Sequence, residues 1–209
     1  IAERLYGSVS ECVRQMNAKA ESLGLKNTLY ANVTGLPAPM QYSSAKDVAI
    51  IFSNLIKHEK YFDYSGIWLD KIAHTKSGEE GETEIANTNK LVRFYEGCDG
   101  GKTGFTSEAG FCLTATAKRG NMRLVSVVIN APSSKERFGD SSKMLTYGFN
   151  NFYNKAVVDK SVPLDRAVIV RGGKTATVKV VPENNFYIFS RRGEKDKVET
   201  ELNLNERVS

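Results

Sequence analysis

No run of about 18 apolar residues occurs in the 209-residue chain, so no segment is suited to span a membrane as a helix. Blocks of like charge are missing too. The 29 basic and 24 acidic residues are interspersed and leave a net charge of +5, which excludes the basic stripe of a nucleic-acid binder. A mild basic excess permits an acidic polymer as partner and asks for none. Cysteine is scarce: Cys12, Cys98 and Cys112 are an odd number without metal-ligand spacing, so neither a disulfide framework nor a metal site is read. Cys12 and Cys112 lie among apolar residues and are expected as small core residues, while Cys98 is open to exposure. There are two histidines, His58 and His74, neither with a recognisable partner, so Cys98 is not read as a nucleophile. No cofactor is expected. Ile1-Ala2-Glu3-Arg4-Leu5 carries no initiator Met and no signal-peptide pattern; it reads like the middle of a helix, and the expectation is a chain whose start lies upstream. What remains is 41% hydrophobic and 25% charged, ordinary globular material sized for one domain plus a smaller piece.

The chain is organised around Asp99-Gly100-Gly101-Lys102-Thr103-Gly104-Phe105, between two strand-like runs. Glycines let a backbone approach a ligand closely. Lys102 is a compact cation with three donors, and Thr103 adds a hydroxyl beside it. From Gly110 the pattern alternates: Phe111, Leu113, Ala115 and Ala117 share one face, Arg119-Gly120-Asn121 turns, and Met122, Leu124, Ser126 and Val128 return. A Lys-Thr-Gly at the edge of such a sheet suggests a strand that reads anions; a Gly-rich turn with a solvated lysine is the plain alternative. A phosphate-binding P-loop does not fit, because Glu96 stands where its first glycine is required. A second copy, Gly172-Gly173-Lys174-Thr175-Ala176, lies between Val168-Ile169-Val170 and Val178-Val180 and reads as a hairpin turn.

Elsewhere the chain reads as packing material. Ser8-Val9-Ser10-Glu11 is a capping box for a helix whose apolar residues Cys12, Val13, Met16, Ala20 and Leu23 end at Gly24. Leu25 to Tyr42 is an irregular loop, in which Asn32-Val33-Thr34 is a chance sequon. Ser44 caps a second helix with Val48, Ile51, Phe52, Leu55 and Ile56 as its buried stripe. Ser43-Ser44-Ala45-Lys46 matches Ser-x-x-Lys in letters, but Ser43 precedes a cap instead of opening a buried helix. Ile67 to Lys76 and Thr83 to Leu91 read as strands around a polar turn, Ser77 to Gly81. A helix is expected from about Lys135 to Tyr153, with Phe138, Met144, Leu145, Phe149 and Phe152 inward. Arg137 sits in its first turn, where the helix dipole disfavours a cation, a mild hint of a role. From Val157 the alternation of Val168, Val170, Val178, Val180, Tyr187 and Phe189 indicates a small β domain, with the boundary between Asn154 and Lys160.

Several pieces stand in a telling order: Lys26-Asn27-Thr28, Gly35-Leu36, Tyr42-Ser43-Ser44-Ala45-Lys46-Asp47, Asn87-Thr88-Asn89-Lys90-Leu91, Gly101 to Thr106 with Ala109-Gly110, and Lys143-Met144-Leu145 with Tyr147-Gly148-Phe149. Together they resemble the serine D-alanyl-D-alanine carboxypeptidases, the low-molecular-weight penicillin-binding proteins. The resemblance covers residues 1–155, and 156–209 look like the start of that family's C-terminal β domain. It implies an α/β (α+β) transpeptidase/β-lactamase-like fold, a mixed sheet flanked by helices. The implied reaction removes the last D-Ala of a peptidoglycan stem pentapeptide through an acyl-serine that penicillins also form. Of the motifs Ser-x-x-Lys, Ser-x-Asn and Lys-Thr-Gly, only the third is present. The nucleophile serine and its lysine would precede residue 1, so this chain alone is expected to be inactive.

Carried over by the resemblance, Lys102 and Thr103 would bind the substrate carboxylate and Gly104 would leave room for the peptide. The backbone N–H of Phe105 would form half of an oxyanion hole, and Arg137 would reach the same carboxylate. No role carries to Thr88. The implied partners are the peptidoglycan stem peptide and, as inhibitors, β-lactams; no nucleic acid. An extracytoplasmic bacterial location, with peripheral membrane association through a segment not in this chain, is implied in the same way. A non-catalytic wall-binding or scaffold module is the alternative. A β-lactamase is disfavoured by the trailing β domain.

Overall fold

A computed structural model describes residues 1–76, 79–172, 174–195, 198–199, 201, 203 and 207–208. Contacts divide the chain into two units, Ile1–Gly148 and Phe149–Ser209. The composition change at Val157 falls inside the second.

Small polar residues cap the longer helices of the first unit. A short α1 (Ala2–Tyr6) precedes α2 (Val9–Ser22), where Ser8 Oγ accepts the N–H of Glu11 at 3.1 Å. Only this half of the expected capping box forms. The Glu11 carboxylate turns instead to Arg14 and Gln15, and the hydrogen bond from Arg14 leads in lowering its pKa to about 2. At α3 (Ala45–Leu55) Ser44 Oγ caps the N–H of Asp47. The buried Asp47 carboxylate accepts from Asn27 N and Thr28 Oγ1, 2.8 and 2.9 Å away, and so ties the preceding loop to the helix. Phe52 carries the buried face of α3, while Leu55, expected inside, is 44% exposed. Ser43 Oγ is hydrogen-bonded to Thr28 Oγ1 ahead of the cap. A 3-10 turn (Glu59–Tyr61) and α4 (Phe62–Ser65) follow.

The polar hairpin pairs β1 (Leu69–Lys76) with β2 (Glu79–Ala86), from Leu69↔Ala86 to Lys76↔Glu79. The second strand begins and ends earlier than expected, since neither face of this hairpin is buried enough to mark its limits by alternation. Ser77 and Gly78 of the expected turn lie outside the described residues. After α5 (Leu91–Phe94) comes the antiparallel sheet that forms the core: β3 (Cys98–Thr106), β4 (Gly110–Arg119) and β5 (Met122–Ala131), in the order β3-β4-β5. The central stretch is therefore strand throughout rather than a turn between strands. As middle strand, β4 is covered on both faces: Leu113, Ala115 and Ala117 are buried on one, Thr114 and Thr116 on the other. Simple alternation predicts only the first set.

The last helix, α6 (Ser134–Asn151), buries Leu145 and joins Ser141 Oγ to Ser126 Oγ of β5 at 2.6 Å. Met144, expected inside, is 44% exposed. The helix stops short of Tyr153 because Phe152 and Tyr153 are taken into β6 (Phe152–Val158). The second unit also holds β7 (Ala167–Val170), β8 (Thr177–Lys179), β9 (Phe186–Arg191) and β10 (Arg207–Val208). β6 pairs with β9, where Phe152 stacks on Phe189 at 4.9 Å, and β10-β7-β8 form a second sheet. The second Lys-Thr copy indeed connects β7 to β8; its Gly173 lies outside the described residues. Among the described residues no helix is long and apolar enough to cross a membrane.

Candidate functional site

The first half of β3 is closed by protein. The Asp99 carboxylate takes two hydrogen bonds, 2.6 and 2.7 Å, from Arg123, whose guanidinium lies 4.2 Å from the ring centroid of Phe62. Ser65 Oγ donates to the carbonyl of Asp99 at 2.7 Å, and the Tyr61 hydroxyl accepts the N–H of Gly101 at 2.9 Å. Asn89 Nδ2 donates to the carbonyl of Gly100 at 3.2 Å. A Cβ on Gly100 would lie 2.8–2.9 Å from atoms of Tyr61 and Ser65. At Gly101, with φ 144°, it would strike the carbonyl of Thr114 and approach Asn89 Nδ2. These two glycines thus admit the protein's own groups, not a ligand as the sequence suggested. Gly104 differs, for nothing lies nearer its Cβ direction than Cys112 Cβ at 4.0 Å.

The second half of β3 has an open edge. No described strand pairs with β3 on the side away from β4. In an antiparallel ladder alternate residues turn their peptide groups to the same edge. Gly101 N–H points outward to Tyr61, so Thr103 and Phe105 present their peptide groups on that side. Lys102 Nζ donates to that outward carbonyl of Thr103 at 2.6 Å. Its ammonium therefore lies at the open edge, with donors to spare. Thr103 Oγ1 donates to Thr88 Oγ1 at 2.8 Å. Phe105 is 59% exposed and rests on Phe111, centroid to centroid 4.4 Å.

Arg137 reaches the same strand from α6 through the main chain. Nη1 donates to the carbonyls of Gly104 and Cys112, 3.1 and 3.2 Å away, where the β4–β5 register shifts between Phe111 and Leu113. The side chain packs over Phe111 and Phe138. Only 9% exposed and, among the described residues, without a carboxylate partner, it is a buried cation whose Nε has no hydrogen bond; burial lowers its pKa. Lys102, Thr103 and Arg137 thus meet on consecutive residues of β3, Arg137 by way of the Gly104 carbonyl.

A cavity of about 870 Å³ lies beyond the other end of the edge, between the 30–43 loop and Thr106, Glu108 and Ala109. Lys102 and Thr103 do not line it; an extended chain lying along β3 would run from them into it. Cys98 is buried, not exposed, and burial raises its pKa. Among the described residues no His, Cys, Asp and Glu cluster is placed to hold a metal. Sequence reasoning missed Tyr61, Ser65 and Asn89. Tyr61 and Ser65 lie 40 and 34 residues from their β3 partners. For Asn89 a signal existed, the Asn87-Thr88-Asn89 run just ahead of the strand.

Comparison with known proteins bears on the same region. The family model described as D-alanyl-D-alanine carboxypeptidase matches residues 1–133. The chain is 37% identical to the D-alanyl-D-alanine carboxypeptidase DacF of Bacillus subtilis, over all of this chain and 53% of that protein. It is 34% identical to DacA of Haemophilus influenzae, over 98% of this chain and 50% of that one. Among solved structures, penicillin binding protein 5 of Haemophilus influenzae superposes with a TM-score of 0.69 at 33% identity, covering 92% of this chain and 54% of that one. The chain spans about half the length of these relatives. A profile match over the whole β3 region, with backbone likeness at these identities, settles the lineage: the chain belongs to the D-alanyl-D-alanine carboxypeptidase family.

Proposed function

We propose that the protein carrying this chain removes the terminal D-Ala of peptidoglycan stem peptides through an acyl-serine, and that this chain supplies the surface that reads the substrate's free carboxylate. One observation carries the reading: the open edge of β3, where an ammonium and a hydroxyl stand beside two outward peptide groups. The peptide lies antiparallel to β3. Its carboxylate meets Lys102 Nζ and Thr103 Oγ1, contacts of the strong, charge-assisted kind. The buried Arg137 adds positive potential through the Gly104 carbonyl it holds. The carbonyl to be attacked lies against the N–H of Phe105, which stabilises the oxyanion as it forms. A serine outside this chain attacks that carbonyl, the amide C–N bond breaks, and D-Ala departs with a proton on its nitrogen. Water then hydrolyses the ester and restores the serine. The rest of the peptide passes Thr106 toward the cavity.

We assign residues 1–155 to the peptidase part and 156–209 to an ancillary β module. The reaction's substrate is part of the bacterial wall, so the protein works outside the cytoplasm; any membrane association is peripheral and uses another segment. β-lactams are its inhibitors. The test is a labelled penicillin with the full-length product. A covalent, hydroxylamine-labile label on a serine is expected, together with release of D-Ala from a pentapeptide. Peptide binding without either would leave the non-catalytic wall-binding module.

A further inference from the structure

We propose that Tyr61 and Ser65 form an end-stop on the ligand edge of β3 and restrict the site to peptides that end there. The inference rests on the reading above and names what makes the site specific for a free C-terminus. Peptide groups leave β3 on its open edge at Asp99, Gly101, Thr103 and Phe105. The first two are already spoken for: Ser65 Oγ donates to Asp99 O at 2.7 Å, and the Tyr61 hydroxyl accepts Gly101 N–H at 2.9 Å. Both side chains also lie over Gly100, close enough that its own Cβ would not fit beside them. Tyr61 is braced in turn by Phe52 and Phe62, at centroid distances of 5.9 and 5.2 Å. A β ladder can therefore grow along this edge only at Thr103 and Phe105.

Direction follows from the chemistry. With the attacked carbonyl at Phe105 and the carboxylate at Lys102 and Thr103, the ligand's C-terminus points at Gly101. Strands rise about 3.3 Å per residue, so one or two further residues would enter the span that Tyr61 and Ser65 cover. Such a chain loses its carboxylate contacts and also meets a blocked edge. The hydroxyl of Tyr61 takes the place that a longer peptide's carbonyl would need on Gly101 N–H.

The experiment measures kcat/KM of the full-length protein on diacetyl-Lys-D-Ala-D-Ala and on the same peptide carrying a C-terminal Gly-Gly. The wild type is expected to favour the free-ended peptide strongly. In the Tyr61→Ala/Ser65→Ala double variant the ratio should shift toward the extended peptide by about tenfold, the order of one or two hydrogen bonds regained. Ser65→Ala alone, which removes one hydroxyl and hardly perturbs packing, should shift it the same way by less. A purely structural role would lower both rates together and leave the ratio unmoved in both variants; that result overturns the end-stop. If the double variant does not fold, an unmoved ratio in Ser65→Ala overturns it. A wild type that neither takes the penicillin label nor cleaves the free-ended peptide overturns the functional reading, and the end-stop with it; normal cleavage with an unmoved ratio sinks the end-stop alone.

Discussion

Lys102 gives one donor to the carbonyl of Thr103 and keeps two for a ligand at the open edge. Because it is exposed, it adds little to stability, while a charge-assisted hydrogen bond contributes about 1.5–3 kcal/mol. Lys102→Ala in the full-length protein should slow penicillin acylation by about 10- to 100-fold with almost no change in melting temperature; equal damage to both would remove it from the site. The cysteines give a second residue-scale test. Burial holds the Cys98 thiol above its ordinary range, and only the thiolate is nucleophilic. Cys112 is the one half-exposed cysteine. Iodoacetamide at mildly alkaline pH should modify Cys112 in the native protein, and Cys12 and Cys98 only after denaturation, as peptide mapping would reveal. The linkage has a definite sign: a raised folded pKa stabilises below the unfolded thiol's pKa, and that contribution is lost as pH rises through the folded value. Stability should therefore fall on the alkaline side, less so in Cys98→Ala. That Lys102 and Thr103 stand at the edge of a sheet was legible from the letters and their flanks. The aim of Arg137 was not, because a sequence gives a residue's place on a helix but not which carbonyl its guanidinium finds.

At the scale of elements, short-range chemistry was the legible part. Ser8 and Ser44 cap the helices they were expected to cap, since a hydroxyl three residues from an orphan N–H needs no distant partner. The β4–β5 hairpin was visible in its Arg119-Gly120-Asn121 turn. What failed was decided at long range. The burial of Thr114 and Thr116 depends on layers covering both faces of β4, and the end of α6 on β9 capturing Phe152 and Tyr153. The Gly100-Gly101 pair is the clearest case: its purpose is visible only when Tyr61, Ser65 and Asn89 are in place. Gly100→Ala should therefore act as overpacking, costing about 1–3 kcal/mol. Tyr61 cannot swing aside without giving up Gly101 N–H. A lower denaturant midpoint is expected, with catalysis on the free-ended peptide reduced by displacement of Lys102. An unchanged midpoint would mean that Tyr61 is loosely held and that β3 is positioned by Arg123 instead.

For the whole molecule, the weight falls on what one chain can do by itself. The open edge of β3, Tyr61 and Ser65 beside it, and the buried Arg137 all belong to the first unit, within or just beyond the 133 residues that the family model matches. In the proposed function those parts bind and orient; among these described residues none is a nucleophile with a base beside it. Ser43, the one serine with a lysine three residues on, is hydrogen-bonded to Thr28 and stands ahead of the cap of α3 instead of within the helix. The proposed function thus divides recognition from bond-breaking, which makes a direct prediction. The 209-residue chain, purified alone, should take up no covalent label from a fluorescent penicillin, whereas the full-length product should take up one label per molecule. Lys102→Ala in the longer protein should slow that labelling, and replacing its nucleophilic serine by alanine should abolish it. A covalent adduct on the short chain, mapped by mass spectrometry to any of its own serines, would mean that the edge of β3 has a nucleophile within reach in this chain, and that the division of labour argued here is wrong.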